Sequence, residues 1–191
     1  MQHEALQHSA SRSKTQGRIS VPAEVYPYQA GLIGGVIAGA VMALVMAGWG
    51  AMIGRGIWFP VNLIAATVLR DLQNESLQML SQFYLAGAVV GTLIHMSLAI
   101  VLGFVFAMLL PTLPGSAVIW SLIIGPVLWF VAQYLALPLA NPRMDALVDH
   151  PSFAIAHVVY SLVLGWWIAR TQKILCCEPG TTGVRQMFLG R

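Results

Sequence analysis

Four long stretches of this sequence lack Asp, Glu, Lys and Arg, and nothing else in it constrains the fold as strongly. They run over 30–54, 83–110, 117–140 (interrupted by Pro126 and Pro138) and 153–170, the last closed by Arg170. A helix crosses a hydrocarbon core of about 30 Å with around 20 apolar residues. Each stretch therefore reads as a membrane-spanning helix, numbered one to four, with Arg170 and Lys173 snorkelling at the end of the shorter fourth. Composition agrees: 58% of the chain is hydrophobic and 9% charged, against roughly 25% charged in soluble domains. A soluble globule and a disordered chain are both excluded. The two cysteines, Cys176 and Cys177, are adjacent and cannot frame a disulfide scaffold. The expected fold is all-α: an integral membrane four-helix bundle with an interfacial helix between helices one and two.

That interfacial helix is expected from Pro60 to Leu72. Ile57 to Ala66 is too apolar for a free loop and too short to span, and Trp58 and Phe59 suit the headgroup level. Asn74 is the expected cap of a further turn into helix two, and Pro111 to Gly115 a tight hairpin connector. Residues 1–29 and 171–191 form polar tails. A cleaved signal peptide would need an apolar run of only about 7–15 residues, shorter than helix one; a mitochondrial presequence is the other reading the first tail's composition allows. The tails carry Arg12, Lys14, Arg18, Arg170, Lys173, Arg185 and Arg191, whereas the connections after helices one and three carry only Arg55, Arg70 and Arg143. Positive residues stay inside, so both termini are expected in the cytoplasm of a bacterial inner-membrane protein. The basic tails also suit anionic lipid headgroups.

Lipid tails are as apolar as Leu, so helices in a bilayer associate through close backbone approach, which needs small residues. Helix one repeats Gly31, Gly35, Gly39, Ala43, Ala47 and Ala51 at every fourth position. Helix two repeats Gly87, Gly91, His95, Ala99, Gly103 and Ala107. Helix four has His157, Ser161, Gly165 and Ala169, and helix three Ser121, Gly125, Trp129 and Gln133. Four residues advance about 400°, so each stripe drifts about 40° per step and meets different neighbours at its two ends. Gly34 and Ala38 lie beside the main stripe of helix one and offer an additional surface for a partner chain.

His95 and His157 are the polar residues at membrane depth, where such side chains mark candidate sites. Counted from Leu110 and Arg170 they sit about 22 and 20 Å deep, at 1.5 Å per residue. Two inward imidazoles at one depth could ligate a single haem b iron axially. The competing reading is structural, each imidazole hydrogen-bonding a carbonyl or a side chain such as Ser97, Gln133, Tyr134, Tyr160 or Ser161. No carboxylate lies in any span, which argues against proton-coupled transport. No phosphate loop, zinc-protease motif or nucleophile with a base is present, so no catalytic residue is assigned. Met42 and Met46 read as core filler rather than a copper site; Asp145, Asp149 and His150 read as a solvated outer loop.

Two segments carry a resemblance. Gly56-Ile-Trp-Phe-Pro-Val-Asn-Leu-Ile-Ala-Ala66 is one; Gly125-Pro-Val-Leu-Trp129 through Asn141-Pro142-Arg143-Met144-Asp145 to Phe153 and Arg170 is the other. Over roughly residues 30–172 the chain resembles a poorly characterised group of small bacterial four-helix membrane proteins that accompany haem-copper oxidases and related respiratory complexes. The resemblance implies the bundle fold and a respiratory setting, and it implies no catalytic residues. That group more often has Gln near the place of His157, so a shared haem site is not implied.

The expected function is a non-catalytic accessory subunit that docks on other membrane subunits of a larger complex, respiratory or electron-transferring. The expected packing residues are Gly31, Gly35, Gly39, Ala43, Gly87, Gly91, Ala99, Gly103 and Gly165. The alternatives are a small b-type cytochrome holding one haem through His95 and His157, and an ion-uncoupled carrier. No nucleic-acid partner is expected.

Overall fold

The computed structural model describes residues 24–171 and 173–175. Helix α1 spans Tyr28–Met52. The short helices α2 (Phe59–Ala65) and α3 (Leu77–Ser81) follow, joined through a 3-10 turn at Arg70–Gln73. Next come α4 (Leu85–Leu109) and α5 (Ala117–Val131). A π-helical turn, Ala132–Ala136, carries α5 into α6 (Leu137–Ala140). The short α7 (Pro142–Leu147) and the long α8 (His150–Ala169) complete the fold. Four of these segments, at 28–52, 85–112, 117–140 and 150–169, are long and apolar enough to cross a membrane. They correspond to helices one to four, so the four-helix, all-α architecture is observed.

The chain enters and leaves at one end, where Lys173 Nζ lies 5.5 Å from the centre of the Tyr26 ring. We call this the tail end and the opposite end the loop end. Arg170, at the close of α8, stacks 4.2 Å over Trp166, as expected of a cation at the end of an apolar helix.

α1 packs along both α4 and α8, and α5 packs along α8. The α1–α4 seam is nearly backbone on backbone. A Cβ on Gly35 would lie 2.7 Å from the Ala99 carbonyl oxygen and 2.9 Å from Ile100 Cα; one on Gly31 would overlap the Gly103 carbonyl. The α5–α8 seam uses the same device with serines: Gly165 faces Ser121, and Gly125 faces Ser161. Closely spaced backbones thus contribute dispersion contacts along both seams.

The drift of the stripes is visible. On α4, Ala99, Gly103 and Ala107 are buried towards α1, whereas Gly87 and Gly91 face Asn62 and Val61 of α2. On α1, the buried register passes from Gly31, Gly35 and Gly39 to Met42, Met46 and Gly50. Ala43 is consequently exposed, and its expected packing role is corrected; the accumulated rotation carries it off the seam. Gly34 faces Leu164 and Trp167 of α8 and Ala38 is fully buried. The additional surface expected there is occupied within the chain.

Two other expectations change. The helix between helices one and two ends at Ala65 rather than Leu72, and its residues Phe59, Pro60, Asn62, Leu63 and Ala65 are buried against protein. Asn74 is not the cap of the next turn: Ser76 is, its Oγ accepting from Met79 N at 3.2 Å. The connector between α4 and α5 is tight, with Gly115 at φ +95° and Trp120 Nε1 donating to the Pro114 carbonyl at 2.7 Å. Yet α4 and α5 share no extended interface. α5 presents Ala117, Ser121 and Gly125 to α8 and leaves Ile119, Leu122, Ile123, Val127, Phe130 and Val131 exposed.

These contacts separate two glycines of α1. Gly35→Ala places a methyl group against the backbone of α4 and is expected to lower bundle stability by about 1–3 kcal/mol. Gly48, around which an added Cβ meets nothing within 4 Å, is expected to accept Ala with unchanged or higher stability. Thermal unfolding of both variants in one detergent measures the contrast.

Candidate functional site

At the loop end the two long connections fold into one polar cap. The turn leaving α1 needs left-handed backbone at Gly54 (φ +73°) and Gly56 (φ +81°), and it folds α2 back beneath α1. A Cβ on Gly50 would strike the Gly56 carbonyl and lie 3.1 Å from Pro60. Asn62 on α2 is 1% exposed. Its Nδ2 donates to the Leu80 carbonyl at 3.0 Å and the Gln82 carbonyl at 2.9 Å, closing off the end of α3. Its Oδ1 has no conventional partner and lies against Gly87 of α4, where any side chain would collide with it. A weak Cα–H contact is all that position offers.

Asn141 ties the cap to the far half of the bundle. It is fully buried. Its Nδ2 donates to the Leu63 carbonyl at 2.7 Å and to Thr67 Oγ1 at 3.0 Å, and its Oδ1 accepts from Met144 N at 3.0 Å as the cap of α7. Pro142 at the first position of that helix suits the same role. Arg143 Nη2 donates to the Glu75 carbonyl and Arg70 Nη1 to the Ala140 carbonyl, both at 2.9 Å. Segments up to 78 residues apart are thereby pinned, and the buried Leu63 carbonyl, which would otherwise cost about 1–3 kcal/mol, is satisfied. Beyond the cap, Asp149 begins α8 by accepting from Ser152 Oγ at 2.6 Å and Ser152 N at 3.0 Å. Those hydrogen bonds, the hydroxyl first, hold its carboxyl below the ordinary Asp range.

Deeper in the bundle, both candidate histidines are half-buried. His95 Nε2 lies 2.9 Å from the Gly39 carbonyl of α1. His157 Nδ1 lies 2.8 Å from the Phe153 carbonyl, one turn back on its own helix. A carbonyl only accepts, so each of those nitrogens carries the proton. Neither histidine bonds the side chains expected as partners. Tyr160 serves that region instead, its hydroxyl donating to the Ala99 carbonyl at 2.6 Å and joining α8 to α4.

The surroundings do not fit a haem between the two rings. A macrocycle needs a slot, and here α1 touches α4 through Gly35 and Ala99 while Tyr160 bridges to the same Ala99 carbonyl. One shallow apolar hollow of about 280 Å³ lies elsewhere, at the tail end, between Tyr26, Tyr28, Phe104 and Met108. Among the described residues no three His, Cys, Asp or Glu side chains gather where a metal ion could sit. Asp145 accepts from Gln133 Nε2 at 2.7 Å, and His150 packs against the Tyr134 ring, its centre 6.2 Å away. Met42 and Met46 are core residues. Cys176, Cys177 and the basic residues of the two tails other than Arg170 and Lys173 lie outside the described residues.

Sequence reasoning missed Asn62 and Asn141. A usable signal existed for one: Asn141-Pro142 is a helix-start pair. Asn62, alone in an otherwise apolar run, was visible only as an oddity. No protein family, curated protein or solved structure matches this chain.

The cap predicts a graded mutational response. Asn141→Ala strips the Leu63 carbonyl and the Met144 amide of their partner and is expected to cost about 2–4 kcal/mol. Asn74→Ala, at an exposed position, is expected to change stability by less than about 0.5 kcal/mol. Chemical unfolding of the two variants beside the wild type measures both.

Proposed function

We propose that the chain is a multi-pass protein of the bacterial inner membrane, with both termini cytoplasmic and the polar cap outside. Its role is non-catalytic: it is an accessory subunit that docks on a larger membrane complex, respiratory or electron-transferring. The observation that carries this reading is the lopsided packing of α5. That helix spends only its Ala117–Ser121–Gly125 edge on the bundle and turns a broad apolar face outward. The bundle packs through its other seams, which leaves the outward face to meet another subunit. The lysine and arginine bias of the tails supports the orientation. The resemblance of residues 30–172 to membrane proteins that accompany haem-copper oxidases supports the respiratory setting.

The test is extraction of the native protein under mild conditions, followed by identification of its companions and an absorption spectrum. The expected result is stoichiometric co-purification with defined membrane subunits and no Soret band assignable to this chain. Ile123→Trp and Val127→Trp are expected to release those companions while the chain still unfolds at the wild-type temperature. A solitary monomer with no companions would contradict the docking role. A Soret band lost on His95→Leu would replace it with the cytochrome. Flux through proteoliposomes of the isolated chain would replace it with the carrier.

A further inference from the structure

The hollow at the tail end has one wall from α4 and another from the chain that leads into α1. Phe104 and Met108, on successive turns of α4, run about 6 Å along the helix towards the bilayer centre. Val25, Pro111 and the rings of Tyr26 and Tyr28 complete it. Tyr28 and Met108 are 60% and 59% exposed, so the hollow opens to whatever surrounds the bundle. Its volume of about 280 Å³ equals roughly nine waters. That is room for a stretch of one acyl chain, not for a whole lipid.

A cation stands beside this apolar wall. Lys173 is exposed, and its Nζ lies 5.5 Å from the centre of the Tyr26 ring. The ring that lines the hollow thus also positions an ammonium, which has three donors and no acceptor. α1 begins at Tyr28 with no acidic residue in its first turn and no side chain capping it, so the positive end of its dipole lies at the same place. The opposite pole, at the end of α4, is answered from within. There the Leu109 carbonyl accepts from Thr112 Oγ1 at 2.7 Å and the Leu110 carbonyl from Leu113 N at 3.1 Å. Lipid tails are as apolar as this wall, so filling the hollow with one selects no particular lipid. Charge selects. The cytoplasmic leaflet carries the anionic lipids, and basic pockets among transmembrane helices on that side hold their headgroups.

We propose that the tail-end hollow is a site for one anionic phospholipid, with an acyl chain along Phe104 and Met108 and the phosphate on Lys173. The site rests on the reading of the chain as a membrane protein with this end in the cytoplasm, and not on the docking role of α5. The test is native mass spectrometry of the full chain, equilibrated in micelles with equal amounts of phosphatidylglycerol and phosphatidylcholine of identical acyl chains. The expected result is one retained lipid per chain, with phosphatidylglycerol preferred about fivefold, the attraction of one surface cation. Lys173→Gln is expected to bring the preference close to parity. Arg170→Gln is expected to keep it, because that guanidinium stacks on Trp166 and not on a residue of the hollow. Met108→Trp, which fills the hollow and leaves the charge unchanged, is expected to lower retention. No preference in the wild type overturns the site. Equal loss in Lys173→Gln and Arg170→Gln also overturns it, as a diffuse effect of charge, and so does unchanged retention in folded Met108→Trp. Micelles have no sides and contain no companion subunits, so none of these failures bears on the orientation or on docking.

Discussion

Backbone-to-backbone approach between α1 and α4 is the contact on which the other features rest. Helices packed through ordinary side chains sit about 8–10 Å apart. Gly35 against Ala99, and Gly31 against Gly103, leave no room for a side chain between the two backbones. That proximity places the Gly39 carbonyl within reach of His95 and the Ala99 carbonyl within reach of Tyr160. In a bilayer such interhelical hydrogen bonds contribute about 0.6–2 kcal/mol each. They serve mainly to fix the register that the glycines allow. Once α1 and α4 are locked, α8 is held through Gly34 and Tyr160, and α5 packs along α8.

The polar cap solves a different problem. A chain that leaves the bundle through apolar connections must satisfy its backbone without exposing those connections to water. Asn62 and Asn141 do so with side chains that imitate peptide groups, each donating two hydrogen bonds to groups of distant segments. Through Asn141 the cap joins stretches 78 and 74 residues apart. It therefore couples the α1–α4 half to the α5–α8 half at the end opposite the tails.

Much of the bundle was legible because its signals are local. Charge-free runs set the four helices, and the fourfold spacing of Gly and Ala marked the seams, including the change of neighbour along α4. What was not legible depends on partners distant in sequence. Ala43 belongs to the repeat yet leaves the seam, because the stripe rotates and only the position of α4 decides where contact ends. Asn141-Pro142 reads as a helix start, but the partners of Asn62 and Asn141 emerge only when Leu80, Gln82 and Leu63 are brought beside them. The turn at Pro111–Gly115 is as tight as expected, yet helices two and three share no extended interface. Their separation follows from the stronger match of Gly125 and Ser121 with Ser161 and Gly165 on α8. The histidines are half-buried, and their partners are main-chain carbonyls, which no sequence displays.

What the bundle leaves uncovered bears most directly on its role. A photo-activatable residue in place of Ile123, on the outward face of α5, would be irradiated in intact membranes. Discrete adducts with one or two defined membrane polypeptides are the expected result, with none from the same probe at Ser121, inside the α5–α8 seam. Adducts with lipid alone would mean that this face meets only the bilayer, and the docking role would fall.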